Sequence, residues 1–249
     1  MLFIIQALVT GIVAGFVCGL FGMGGGSLLV PAIFHVFKLP MKEAIGTSLF
    51  VIIFSALSAL INYTRHNQVK AKIAFYIVPC GILGAQAGAL LTDRLPETAV
   101  RYIFIILVTV LGIKMLFHPE NDGASCKEGE MEYSKVSAIL IGLFAGFVSG
   151  LCGVGGAVLL IPLLYIFLKV PMHACIGTAL IAIFFNSVSG GIGYIVRGYV
   201  DFRLGILLGI GSMAAAPLGA KLSINTPRER LKRMFAVILI LSGLSILFR

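Results

Sequence analysis

The sequence predicts an all-α integral membrane protein made of two inverted repeats, each with about five helical segments and a glycine-broken short or re-entrant helix. Three observations carry that prediction. The chain is 59% hydrophobic and 12% charged, about half the charged fraction of a soluble domain. Its two halves align at a constant spacing of 131 residues. Each half also interrupts an apolar run with the same abrupt cluster of glycines.

Several apolar runs reach ~20 residues, the length a helix needs to cross a bilayer core. They do not alternate apolar and polar side chains, which sets aside a transmembrane β-barrel. The first 25 residues have no basic leading region and no small-residue cleavage pattern, so they are expected to stay on the mature protein. The net charge of +9 fits basic loops that set topology and touch anionic lipid headgroups. It also fits a field that favours an anionic substrate. Five cysteines, Cys18, Cys80, Cys126, Cys152 and Cys175, show no metal-type spacing. No metal, disulfide framework or cofactor is expected, and no nucleic-acid partner.

The repeat is explicit. AGFVCGLFGMGGGSLLVP (14–31) aligns with AGFVSGLCGVGGAVLLIP (145–162), with 12 of 18 positions identical. Pro40 matches Pro171, Gly46-Thr47 matches Gly177-Thr178, and Tyr63 matches Tyr194. Residues 1–117 form repeat 1 and 134–249 repeat 2. The stretch 118–133 between them holds Glu120, Asp122, Glu128, Glu130 and Glu132 and reads as a polar linker outside the membrane.

The apolar segments follow in order. In repeat 1 they cover roughly 2–20, 27–38, 44–64, 72–92 and 98–117; in repeat 2, roughly 134–151, 157–168, 174–196, 203–222 and 232–248. The second of each set spans only ~18 Å as a helix, too short for an ~30 Å core. It reads as a half-helix returning to the side it entered from. Each repeat then crosses an odd number of times, so the second enters upside down, a recurring plan of secondary transporters. Under that layout twelve Lys and Arg fall on one side and seven on the other. The richer side is expected to be cytoplasmic and both termini outside.

The glycines divide into two kinds. Gly11, Gly15 and Gly19, like Gly142, Gly146 and Gly150, recur every fourth residue, the pattern that lets two membrane helices approach closely. Gly22, Gly24, Gly25 and Gly26, with Gly153, Gly155 and Gly156, are instead clustered. Each such glycine costs a helix about 1 kcal/mol relative to alanine. No Lys-Ser/Thr follows and no strand precedes, so a nucleotide loop is rejected. An unwound segment at membrane depth needs protein or a water-filled cavity around it. The short helix that follows presents unpaired N–H groups and about half a positive charge. A small anion is the fitting ligand. A tight helical hairpin with no ligand is the competing reading. Because Gly26-Ser27 becomes Ala157-Val158, the second break reads as the less polar.

Polar residues in the third segments complete the candidate substrate site: Thr47, Ser48 and Asn62 in the first copy, Thr178, Asn186 and Ser187 in the second, with Ser27 at the first break. Hydroxyls and amides donate to anion oxygens. They also tie membrane helices together, so either role is open. All ten acidic residues lie in loops or at segment ends, which argues against a buried carboxylate proton relay. His35 stands alone in the short second segment, and Cys18 and Cys152 flank the breaks. Two other functions compete with a transporter: a passive anion channel, and an intramembrane hydrolase using Ser189. The hydrolase needs a histidine beside its serine, and none is near in sequence, so no catalytic residue is expected.

The doubled AGFxxGLxGxGGxxLLxP block, with Pro40/Pro171 and Gly46-Thr47/Gly177-Thr178, resembles the sulfite exporter TauE/SafE family of bacterial and archaeal membrane permeases. The resemblance covers nearly the whole chain. It implies transport, mostly outward, of sulfite, organosulfonates or related small anions across the prokaryotic inner membrane. Membrane lipids and a second copy of the chain are the other expected partners.

Overall fold

The computed structural model describes residues 2–117, 134–153 and 155–247. Every regular element in them is helical. The first copy supplies α1 (Leu2–Phe21), α2 (Gly26–Val36), α3 (Met41–Arg65), α4 (Ala71–Arg94) and α5 (Glu97–Phe117). The second supplies α6 (Lys135–Cys152), α7 (Ala157–Phe167), α8 (Met172–Val196), α9 (Phe202–Asn225) and α10 (Arg228–Leu247). From α7 onward each helix starts 131 residues after its counterpart. The linker 118–133 lies outside the described residues.

Among the described residues, six helices (α1, α3, α4, α6, α8 and α9) are long and apolar enough to cross a membrane. Large apolar side chains such as Phe75, Leu83, Phe144 and Leu218 point outward and are exposed, as a lipid-facing surface requires. The chain is therefore a multi-pass, all-α membrane protein.

Local chemistry sets the boundaries. Pro40 and Pro171 occupy the N-cap positions of α3 and α8, where the missing N–H removes nothing the helix uses. At the other end, α3 and α8 close through left-handed residues, Asn67 at φ 54° and Gly198 at φ 74°. The next amide turns back in each case, Gln68 N–H to the Tyr63 carbonyl and Tyr199 N–H to that of Tyr194, both at 3.0 Å. That is a common way to end a helix.

The spaced glycines are packing residues. A Cβ on Gly11, Gly15 or Gly19 would strike the backbone of Leu208, Ser212 or Ala216. One on Gly142, Gly146 or Gly150 would strike that of Ile77, Gly81 or Ala85. Helix α1 thus lies against α9, and α6 against α4, each pair running parallel with its main chains nearly touching. Two hydroxyls repeat the relation one layer further in. Ser58 donates to the Met213 carbonyl and Ser189 to that of Ile82, both at 2.9 Å; with Gly205 on Phe50 and Gly209 on Phe54, and Gly81 on Asn186 and Gly193 on Ala89, these contacts set α3 parallel to α9 and α8 parallel to α4.

Helices α3 and α8 run antiparallel to each other. Gly46, near the start of α3, sits beside Tyr194 near the end of α8, and Gly177 sits beside Tyr63. Helices α1, α3 and α9 therefore point one way and α4, α6 and α8 the other. Each of these helices opposes its own counterpart. The two copies interlock rather than stand side by side, since α1 and α4 both pack on helices of the other copy.

Candidate functional site

The glycine clusters unwind the chain where the sequence places them. Gly22, Gly24 and Gly25 have φ of 63°, 65° and 76°, and Gly153, Gly155 and Gly156 have 70°, 70° and 81°. These are left-handed values that an L side chain adopts only at a cost of about 1–2 kcal/mol. Their effect is to reverse the chain. Gly25 returns to the level of Ala14, whose carbonyl stands 3.1 Å from the position of a Cβ. At the far end of α2 the rings of Phe37 and Phe3 meet at 5.6 Å between centroids. Helix α2 thus runs back along α1 as a re-entrant limb.

Both breaks lie at the same depth. Ser55, midway along α3, donates to the Gly24 carbonyl at 3.3 Å. Ile52 and Ile183, counterparts in the repeat, stand between the breaks; a Cβ on either Gly24 or Gly155 would meet both of them. Neither short helix has a side-chain cap. The backbone ladder of α2 starts with Leu28 and Leu29 N–H on the Gly25 carbonyl, and that of α7 with Leu159 and Leu160 N–H on that of Gly156. The amides of Gly26 and Ser27, and of Ala157 and Val158, precede those ladders. Two helix N-termini therefore face a common centre.

That centre is closed. Gly24, Gly155, Ile52 and Ile183 are all buried. The sequence reading expects each break to line a cavity; here two isoleucine side chains fill the space, because their branched methyls reach the Cβ-less face of both glycines.

The candidate polar residues separate into three groups. At the first break, Ser27 is buried and its hydroxyl contacts the Met23 sulfur at 3.6 Å. At the second, Ser48 reaches across from the first copy and donates to the Gly153 carbonyl at 2.8 Å. Ser187 is fully buried, with its Oγ 3.4 Å from the position of a Gly155 Cβ and without a partner. Gly22 and Gly153 close α1 and α6, their N–H groups bonded to the Cys18 and Ser149 carbonyls.

A second group ties elements together away from the centre. Thr47 accepts the Asp201 N–H and Thr178 the Lys70 N–H, both at 3.0 Å, so each pins the loop that precedes α9 or α4. Asn186, with its amide turned so that the NH2 faces carbonyls, donates to Gly81 at 3.2 Å and Ala182 at 3.3 Å. It joins α8 to α4 where Gly81 leaves room. The third group is Asn62 alone. It lies half-buried near the end of α3, beside Tyr63, whose hydroxyl donates to the Gly19 carbonyl at 3.0 Å. The structure does not bring it to the breaks.

Sequence reasoning missed Ile52, Ile183 and Ser149. The isoleucines have no signal beyond their matched positions. Ser149 is fully buried, its Cβ faces Gly156 and its hydroxyl has no partner. Residues 157 and 158 alone make the second break the less polar, but the buried hydroxyls of Ser149 and Ser187 add polar groups beside it. The hydrolase candidate Ser189 spends its hydroxyl on the Ile82 carbonyl. His173 is held by the Ser223 and Thr226 carbonyls at 3.0 and 3.1 Å. No cluster of metal-ligating side chains occurs among the described residues.

A multi-pass helical protein with two short apolar helices aimed at one buried centre has the build of a membrane transporter. Residues 7–246 match the family described as sulfite exporter TauE/SafE, and the chain belongs to that family. It is 30% identical over 251 residues to the "Probable membrane transporter protein YdhB" of Bacillus subtilis (strain 168), with the whole of both chains covered. It is 28% identical to the "Probable membrane transporter protein YunE" of the same organism, covering 96% of each chain. The same identity holds for "Probable membrane transporter protein MJ0441" of Methanocaldococcus jannaschii, covering 96% of this chain and 94% of that one. The protein is a membrane transporter of this type rather than an enzyme.

Proposed function

We propose that the protein is a secondary transporter that exports a small oxyanion, such as sulfite or an organosulfonate, across the prokaryotic inner membrane. The carrying observation is the convergence of two uncapped helix N-termini on Ile52 and Ile183. Together they offer roughly one positive charge, without any lysine or arginine among the residues of the breaks. Amides without Cβ atoms in the way suit close approach by anion oxygens.

The opposed directions of counterpart helices support a membrane layout with the copies inverted. The end holding Arg65, Lys70, Lys72, Lys221, Arg230 and Arg233 is then cytoplasmic, and both termini are outside. A C-terminal reporter active only in the cytoplasm overturns that layout. The seal formed by Ile52 and Ile183 favours a carrier that alternates between closed and opened centres over a passive channel.

Flux into proteoliposomes is the direct test. Sulfite or sulfoacetate should enter faster than into empty liposomes, saturate and show counterflow. A panel of sulfur oxyanions and carboxylates that never moves faster than the control rejects the proposal, and unitary currents replace it with a channel.

A further inference from the structure

We propose that the second break is the dominant half of the anion site, and that Ser149 and Ser187 are its side-chain donors. This rests on the transport reading above and says which residues do the binding. The two breaks are alike in backbone but not in the state of their hydroxyls. At the first, Ser27 is turned to the Met23 sulfur, and Ser55 donates to the Gly24 and Ile52 carbonyls. At the second, Ser149 and Ser187 are each fully buried and have no partner. Their counterparts in the first copy are Cys18 and Ala56, so neither hydroxyl is repeated.

An unpaired hydroxyl in an apolar interior is a penalty that an incoming acceptor removes. Both serines flank the uncapped start of α7. Ser187 Oγ lies 3.4 Å from the position of a Gly155 Cβ and Ser149 Cβ 3.3 Å from that of a Gly156 Cβ, and Ala157 and Val158, whose amides lead α7, follow directly in the chain. Unpaired hydroxyls beside the leading amides of a helix suit a small anion with several acceptor oxygens, such as a sulfite or a sulfonate. Ser48 is already engaged with the Gly153 carbonyl, so it fixes the break in place while the other two serines remain available.

The test measures sulfite binding to purified full-length protein by calorimetry and by ligand-induced thermal shift. Ser187→Ala and Ser149→Ala should each weaken binding about tenfold or more, since hydrogen bonds to a charged group are the stronger kind. Ser149→Cys, which copies the first break, should weaken it in the same direction. Ser27→Ala should cost less than either. Ser212→Ala, whose hydroxyl bonds the Gly209 carbonyl at 3.0 Å, should leave binding unchanged. The unliganded Tm of Ser149→Ala and Ser187→Ala should hold or rise, because no bond is lost. Unchanged affinity in those variants, an equal loss in Ser27→Ala, or a fall in unliganded Tm or failure to fold overturns the assignment while leaving transport standing. No response of the wild type to sulfite, sulfoacetate or any other small oxyanion overturns the transport reading, and the assignment falls with it.

Discussion

Replacing Gly156 by alanine tests the reason for the second break. Two costs apply. The residue sits at φ 81°, where any L side chain loses about 1–2 kcal/mol. In addition, a Cβ there would stand 2.8 Å from the Ala145 carbonyl oxygen and 3.3 Å from the Ser149 Cβ. Helix α7 would have to leave α6 by about half an ångström, an overpacking cost of about 1–3 kcal/mol. Gly198 separates the two terms. It has φ 74°, and nothing lies within 4 Å of its Cβ position, so Gly198→Ala bears the backbone cost alone. Gly156→Ala should therefore lose about 2–5 kcal/mol in denaturant unfolding of the purified protein, and Gly198→Ala about 1–2 kcal/mol. Sulfite flux should collapse in Gly156→Ala, because the leading amides of α7 move, and persist in Gly198→Ala. Equal stability losses in the two variants, or full flux in Gly156→Ala, would refute the claim that the reversal needs a bare backbone.

Tyr63→Phe and Tyr194→Phe each remove one tyrosine-to-carbonyl bond, to Gly19 and to Gly150 at 3.0 and 2.9 Å. Each should lose about 0.6–1.7 kcal/mol, and the double variant should show their sum in unfolding titrations, since the two bonds lie at opposite ends of the bundle. Ile52→Ala with Ile183→Ala should open the centre, and proteoliposomes carrying the double variant should leak sulfite down its gradient; tight vesicles would show that these side chains are not the barrier. Gly146→Leu should prevent assembly, because its side chain falls on the Gly81 backbone. Size-exclusion chromatography of the solubilised protein should then show no monodisperse peak.

Much of this architecture was legible because the repeat is written twice at one spacing. Helices α3 and α8 start directly after Pro40 and Pro171. The four-residue glycine rows name the close helix contacts without naming partners, since a small residue says only that something comes near. The glycine clusters are legible as breaks because no helix favours them. Side-chain function was harder to read. Thr47 and Asn186 look like ligand donors in a linear sequence, and only tertiary contact shows that a loop amide and the Gly81 carbonyl already engage them. Asn62 lies two turns past Ser55, the residue that meets Gly24, a separation that a linear sequence does not display. Ile52 and Ile183 could not be singled out among the chain's many isoleucines. What distinguishes them is a position between the breaks, not a chemistry.

The interlocking of the copies constrains how the chain matures as it leaves the ribosome. Helix α1 is made well before α9, yet the surface its glycines fit belongs to α9. The first copy must therefore wait in the bilayer with that glycine row facing lipid until the second copy arrives. Truncation before α9 should yield an inserted but unfinished bundle, a ready substrate for membrane quality-control proteases. Expressed as separate chains, the two halves should regain a stable form only by finding each other.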